Sequence, residues 1–341
     1  MTLTIHSSDA PAVWDEFARR TPGSTLCHAY RWRDVIERAF GHQCFWLQAT
    51  APGGDVRGVL PLVRVSSRLF GHYLVSLPFL NYGGPIGEPV AVRALTAEAV
   101  RLATRERVKL LELRSRIELP IELPVSHRKI TVVLDLPATT ELLMKSFPAK
   151  LRSQVRRPAK EGVTVRFGAD QVGPFYQVFA RHMRDLGTPV MPRRFFEEVA
   201  AAFGDDAWIA CAYLGTEPIA GGVALVWNDE VEITWASALA QYNRTSANMG
   251  LYWAFMERAV AAGLARFNFG RCTPDSGTHR FKQQWGGRDE PLWWYQSTPS
   301  GVAAATPSPD DGAYAWGPRL WKRLPLPLAN LIGPRIVRSI P

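Results

Sequence analysis

The feature that most restricts the fold of this chain is an order of elements that occurs twice. In the second half, GVTVRF (162–167) alternates like a strand, and QVFARHMRDL and RRFFEEVAAAF carry apolar residues at helical spacing. Three β-rich runs follow, AWIACAYLG, PIAGGVALVWN and EVEITWASA, separated by the turn signals Gly215–Thr216 and Asn228–Asp229. GLYWAFMERAVAA then reads as a helix stopped by Gly263, ARFNFG as a short strand, HRFKQQW as a short helix and PLWWYQS as a last strand. The first half repeats the scheme. TLTIH precedes a helix around Trp14–Phe17 and a second at RWRDVIERAF. CFWLQAT, VRGVLPLVRV and HYLVSLP are strands, VRALTAEAVRLATRE is a helix and VKLLELR a strand. An order β-α-α-β-β-β-α-β calls for a mixed sheet with helices on its faces, used twice.

The length, 341 residues, fits two domains of ordinary size, and 47% apolar residues suffice for two cores. The division expected is a first domain over 1–135, a basic connecting helix over 136–161, a second domain over 162–297, and a linker with a basic, apolar tail over 298–341. STPSGVAAATPSPDDGAYA (297–315) is the linker itself. The net charge of +9 favours a phosphate-bearing or polyanionic partner or an anionic membrane surface, or simply a soluble basic surface. Cys27, Cys44, Cys211 and Cys272 form no CxxC pair, so neither a metal site nor a disulfide framework is expected. The start, MTLTIHSSDAPAVWDEF, lacks the basic and apolar regions of a signal peptide, and no apolar run spans a bilayer. A cytoplasmic protein is the expectation, with peripheral placement at the inner membrane face as its variant.

Five stretches, in order, resemble the FemAB acyltransferase family, whose members double the GNAT fold. They are STLCHAYRWRDVIERAFGH (24–42), LPFLNYGGPIGEP (77–89), KLRSQVRRPAKEGV (150–163), FYQVFARHMRDLGTPVMPRRFFEEV (175–199) and FNFGRCTPDSGTHRFKQQWGG (267–287). The resemblance covers about residues 24–297 and is nearest to FemAB-like proteins of exosortase and exopolysaccharide systems. It implies an α/β (α+β, mixed-sheet) protein of two tandem GNAT-like domains. It also implies transfer of an acyl group, commonly an aminoacyl group from tRNA, to an amine on a cell-envelope precursor. The chain departs from the pattern at Pro158, where a proline kinks or ends the helix, and no coiled-coil arm is inserted.

Amide formation from an activated ester or thioester needs a neutral amine, an electrophilic carbonyl and donors aimed at the developing oxyanion; no covalent enzyme intermediate is required. This suits a chain without GxSxG or a Cys–His pairing. Lys282, on a short helix after the glycine turn, is the candidate catalytic cation, against the plain reading of a solvated lysine over Phe281 and Trp285. Arg244, Arg271 and Arg280 are candidates for gripping anionic groups. Asn268 and Gly270 belong to the same turn, and Tyr30, Arg31, Asn81, Tyr82, Gly83 and Gly84 are candidates for the acceptor side. His182, and Asp275 with His279, are weaker candidates for proton transfer, with surface or capping roles as the alternative.

No cofactor or metal is expected; the donor is aminoacyl-tRNA, acyl-CoA or an acyl carrier protein. CoA-dependent GNAT enzymes usually carry Q/R-x-x-G-x-G/A before the donor helix. Arg244-Thr-Ser-Ala-Asn-Met249 keeps neither glycine, which counts against CoA. Lys145, Lys150, Arg152, Arg156, Arg157 and Lys160 form a run without acids that suits tRNA, an anionic precursor or mere solvation. The tail WGPRLWKRLPLPLANLIGPRIVRSIP has five basic residues and no acid, a composition suited to a membrane surface or to packing across the two domains. The reading is an N-acyltransferase of envelope or exopolysaccharide biogenesis. A non-catalytic binder of RNA or anionic membrane is the alternative from another class.

Overall fold

The strands expected from alternation form two sheets, and glycine and asparagine turns set their hairpins. The computed structural model describes residues 3–67, 71–298 and 316–340. In chain order the elements are β1 (Thr4–Ser7), α1 (Pro11–Arg20), α2 (Trp32–Phe40), β2 (Gln43–Thr50), β3 (Val56–Ser67), β4 (Gly71–Val75) and β5 (Ile86–Gly87). Then come α3 (Pro89–Arg105), β6 (Leu110–Ser115), β7 (Val125–Ser126), β8 (Ile130–Asp135), α4 (Thr140–Ser146), α5 (Ala149–Lys160) and β9 (Val163–Phe167). They continue with α6 (Val172–Leu186), α7 (Arg193–Phe203), β10 (Ala207–Leu214), β11 (Glu217–Trp227), β12 (Glu230–Ala238), α8 (Ala247–Ala261) and β13 (Arg266–Cys272). Last are α9 (Gly277–Gln283), β14 (Arg288–Pro291), β15 (Trp293–Ser297), α10 (Trp316–Trp321) and α11 (Leu326–Val337).

The chain divides into two units. One comprises Met1–Ile130, Pro291–Thr306 and Arg338–Pro341, the other Thr131–Glu290 and Pro307–Val337. Their sheets follow one plan: β1-β2-β3-β4-β6-β15-β7 in the first and β9-β10-β11-β12-β13-β8-β14 in the second. In each, antiparallel hairpins lead to one parallel pair, β4 with β6 and β12 with β13. The sixth position is filled from the other half of the chain. β15 lies between β6 and β7, with Trp293 opposite Ser115 and Trp294 opposite Ser126, and β8 lies beside β13.

This division differs from the expected boundaries. Residues 130–135 fall in the second sheet rather than the first, and 293–297 in the first rather than the second. The physical reason is that a strand pairs with any free edge whose neighbours cover its apolar side chains, and its own sequence does not say which edge. Tyr295 shows the result: its ring joins the core of Leu47, Leu60, Leu74, Leu95 and Leu113, and its hydroxyl accepts the Leu119 N–H at 2.8 Å.

The basic helix expected as a connector is α5, and it packs within the second unit. Leu151, Val155 and Pro158 are buried while Lys150, Arg156, Arg157 and Lys160 are exposed. Pro158 sits in the last turn, and the helix runs two residues past it. A Cβ at Gly250 of α8 would come within 3.0 Å of the Pro158 ring, so the missing side chain there lets the two helices close. On the other side of the sheet, Phe195 and Phe196 of α7 meet Trp235 of β12 edge-on, and Phe175 and Phe179 of α6 stack on each other and meet Phe196 edge-on. The linker residues from 299 on lie outside the described residues.

Candidate functional site

The parallel pair of the second unit does not stay paired. Glu230, Val231 and Glu232 register with Arg266, Phe267 and Asn268, and no further. β12 continues to Ala238 and β13 to Cys272. The cause lies on the far edge of β12. There Val223 pairs with Trp235 and Ala224 with Ile233, which leaves Thr234 without a partner residue on β11. Such a bulge bends the strand and sharpens its twist. Past Glu232 and Asn268 the facing edges diverge into a wedge.

Lys282 closes the base of that wedge. It is 3% exposed, and its Nζ donates to Gly270 O at 2.6 Å and to Arg271 O at 2.9 Å. In a regular strand consecutive carbonyls point to opposite edges. Gly270 has φ 71°, a left-handed conformation that breaks the alternation and turns both carbonyls to one ammonium. Burial lowers the Lys282 pKa to about 8; Cys272 and Glu232 act to raise it and Arg271 to lower it further. The Ser276 hydroxyl accepts the His279 N–H and starts the helix that carries the lysine.

A buried polar network supports this base. Asn268 is fully buried; its Oδ1 accepts from Thr131 Oγ1 at 2.6 Å and from the Gly270 N–H at 2.8 Å. Its Nδ2 donates to Glu230 Oε1 at 2.9 Å and reaches Glu232 Oε2 at 3.5 Å. Glu232, 1% exposed, also accepts from Thr234 Oγ1 at 3.3 Å. Asn268 therefore fixes the turn rather than facing a ligand. Sequence reasoning passed over Glu230 and Glu232. Their signal was present, as two acids two residues apart on one face of the otherwise apolar strand EVEITWASA.

The corresponding place in the first unit is filled. β4 and β6 pair from Tyr73 with Leu110 to Val75 with Glu112, and the Ser76 N–H donates to Glu112 O at 2.9 Å. The chain then bends through Leu77 (φ 59°) and Phe79 (φ 70°) and comes back along β6. Ser76 Oγ accepts the Arg114 N–H at 2.8 Å, and the Gly84 N–H donates to Arg114 O at 2.6 Å. A Cβ at Gly84 would lie 2.9 Å from Arg114 O, so glycine is required by the chain's own backbone. The Arg114 guanidinium is buried and donates to Glu112 at 2.8 Å and to Leu80 O at 3.0 Å. It also stacks 4.5 Å from the Trp294 ring, while Gln296 donates to the other Glu112 oxygen at 3.0 Å.

The remaining expected residues fall as follows. Asn81 and Tyr82 are buried in the loop that fills the first wedge, and Gly83 takes φ 117° there. Tyr30 is a core residue, with its ring against Trp14 and Trp46 and its hydroxyl donating to Ser8 O at 2.9 Å. Arg31 is half-buried at the start of α2. Arg271 borders the second wedge and is partly exposed; Arg244 is exposed just before α8. Arg280 is exposed and donates to Asp275 O at 2.7 Å.

His279 accepts the Asp275 N–H through Nδ1 at 3.0 Å, so Nε2 carries the proton toward Asp289 at 2.9 Å. Its carboxylate partner is Asp289 rather than the Asp275 side chain. His182 pairs with Ser237 Oγ at 2.9 Å, and burial lowers its pKa.

Residues 145–283 match the acetyltransferase (GNAT) domain family, a span inside the second unit that holds both the wedge and Lys282. No curated protein matches the chain. Among solved structures, the chain is similar to FemX (15% identity, 86% of this chain and 97% of that one, TM-score 0.66). It is also similar to a tandem GNAT protein of the clavulanic acid biosynthesis pathway (12%, 89% and 100%, 0.56). A third is the C-terminal domain of a putative lysylphosphatidylglycerol synthetase from Agrobacterium fabrum (15%, 79% and 92%, 0.54). These likenesses establish the tandem GNAT fold, and the domain match makes the chain an acyltransferase of GNAT type.

Proposed function

From a GNAT-type acyltransferase with one open wedge, we propose that the chain is an N-acyltransferase that seats its activated acyl donor between β12 and β13 of the second unit. The single observation that carries this reading is the contrast between the two parallel pairs. The second ends at Glu232 and Asn268 beside a buried lysine, and the first is continued by Ser76 and Gly84. Past Glu232 the β12 edge that faces β13 offers backbone N–H and C=O groups to the amide-like parts of a donor, as an added strand would take them.

In the proposed reaction a neutral acceptor amine attacks the donor carbonyl. The C–N bond forms, the ester or thioester bond breaks, and the proton lost by the amine leaves with the departing alcohol or thiol. The Lys282 ammonium steadies the charge gathering on the carbonyl oxygen. Glu232 helps keep that lysine protonated. Asn268 and Gly270 hold the carbonyls that aim it, and Arg271 and Arg244 are assigned to anionic groups of donor or acceptor.

Aminoacyl transfer to an amine on an envelope or exopolysaccharide precursor is the preferred chemistry. Two things support it: the likeness to FemX and to a lysylphosphatidylglycerol synthetase, and the loss of both glycines in Arg244–Met249. Acyl-CoA or an acyl carrier protein is the alternative donor. The test is to incubate the protein with aminoacyl-tRNA or acyl-CoA and a panel of amines, including lipid-linked amino sugars, and to seek the new amide by mass spectrometry. The reading expects product from one donor class and none from Lys282→Met. Equal product from that variant, or none with any donor, contradicts it.

A second reading rests on α5, which turns Lys150, Arg156, Arg157 and Lys160 to solvent. A purely binding protein would lose RNA affinity on charge reversal at Arg152 and Arg156 and be indifferent to Lys282→Met.

A further inference from the structure

We propose that the outer face of α10 and α11 is a docking surface for an anionic lipid bilayer, on which the protein rests peripherally. The two most exposed large apolar side chains among the described residues both lie here, Leu331 at 61% and Leu320 at 54%, and Leu328 beside them is exposed as well. They are exposed because the opposite face of the tail is fixed to the body of the second unit. Ala329 is buried, and a Cβ at Gly333 would meet Val190 N at 2.9 Å. Arg184 Nη1 donates to Leu324 O at 3.1 Å between the two helices. The leucines are thus presented on a held platform.

Charge decides what covers that face. Arg319, Lys322, Arg323 and Arg335 are exposed around the leucines, and no acidic residue occurs from Trp316 to the end of the chain. A second copy of the same face would bring like charge against like charge, which disfavours self-association. Nucleic acid would satisfy the cations and leave the leucines in water. An anionic bilayer satisfies both: leucine side chains enter the acyl boundary and the cations stay at headgroup level. Neither helix is long and apolar enough to cross the membrane, so the contact is with one surface.

The experiment is co-sedimentation of the full chain with phosphatidylcholine vesicles containing, or lacking, about a third phosphatidylglycerol, at low and at physiological salt. Binding is expected to the anionic vesicles alone and to weaken with salt. The double variant Leu328→Asp, Leu331→Asp should lower partitioning roughly 10- to 100-fold, the range expected for two leucines withdrawn from an apolar phase. Reversing Arg319, Lys322 and Arg323 to Glu should lower it at least as much. Because all five side chains are exposed, both variants should keep the parent thermal transition. Absence of binding to the anionic vesicles at low salt overturns the proposal. So does binding that survives the leucine variant but is lost on charge reversal at Arg152 and Arg156, which moves the contact to α5. A dimer in solution that dissociates in the leucine variant assigns the face to a second copy and overturns it as well.

Discussion

Replacing Lys282 by methionine removes a charge that the fold holds at a cost, and its two consequences separate catalysis from stability. Burial takes the lysine from its ordinary 10.5 to about 8. At about 1.4 kcal/mol per pH unit, this is about 3 kcal/mol against the charged form. Between pH 8 and 10.5 the unfolded chain binds a proton that the folded chain has released, so stability rises with pH across that window. Below about pH 8 both states are protonated and the whole cost is borne.

The methionine variant escapes this cost but strips Gly270 O and Arg271 O of their donor, at about 1–3 kcal/mol each. The two effects offset. At pH 7 the melting temperature should move by only a few degrees, while turnover falls on the order of 10²- to 10³-fold, the loss seen when one oxyanion donor is removed. The assay is donor turnover against pH for the parent, Lys282→Met and Lys282→Arg, with melting curves at each pH. Arginine stays charged throughout, so dividing the parent rate by the arginine-variant rate cancels the titration of the acceptor amine. That ratio should decline above pH 8. A ratio that climbs above pH 8 would show that neutral Lys282 is the working form, as a base, and would refute the role given to its ammonium.

Other outcomes follow from the same geometry. Glu232→Gln removes a charge that raises the Lys282 pKa, so the declining limb should move below about pH 8 in the same rate ratio. Arg114→Met leaves Glu112 buried without its cation, a change costing about 3–5 kcal/mol, and should lower the melting temperature on the order of 10 °C. Adding Glu112→Gln to Arg114→Met should restore part of it. Gly84→Ala forces a Cβ toward Arg114 O and should destabilise by about 1–3 kcal/mol by denaturant titration, with donor affinity in the second unit unchanged.

The order of elements was legible because alternation and turn chemistry are local. Asn228 takes the left-handed φ of 53° that its place before Asp229 announces, and Gly215 takes 63°. The exchange of β8 and β15 between the sheets was not legible, since WWYQS carries a strand pattern and no address. At the site, Lys282 stood out by residue type and context, but its direction depends on the φ of Gly270, which a tetrahedral Cα without a side chain leaves open. The pair Gly83–Gly84 shows the same ambiguity with the opposite result: a glycine that permits close approach serves a ligand or the chain itself, and here β6 takes the contact. Glu232 was readable as an acid in an apolar strand. Asp289 was not, because the loop that brings it to His279 is set by the placement of β14.

Hydrogen exchange of backbone amides with and without a non-reactive donor analogue bears most directly on the difference between the two wedges. A donor lying between β12 and β13 should slow exchange in residues 233–238 and 269–272 and leave 76–84 unchanged. Slowing confined to 76–84, or none in either segment while the analogue is bound, would contradict the account.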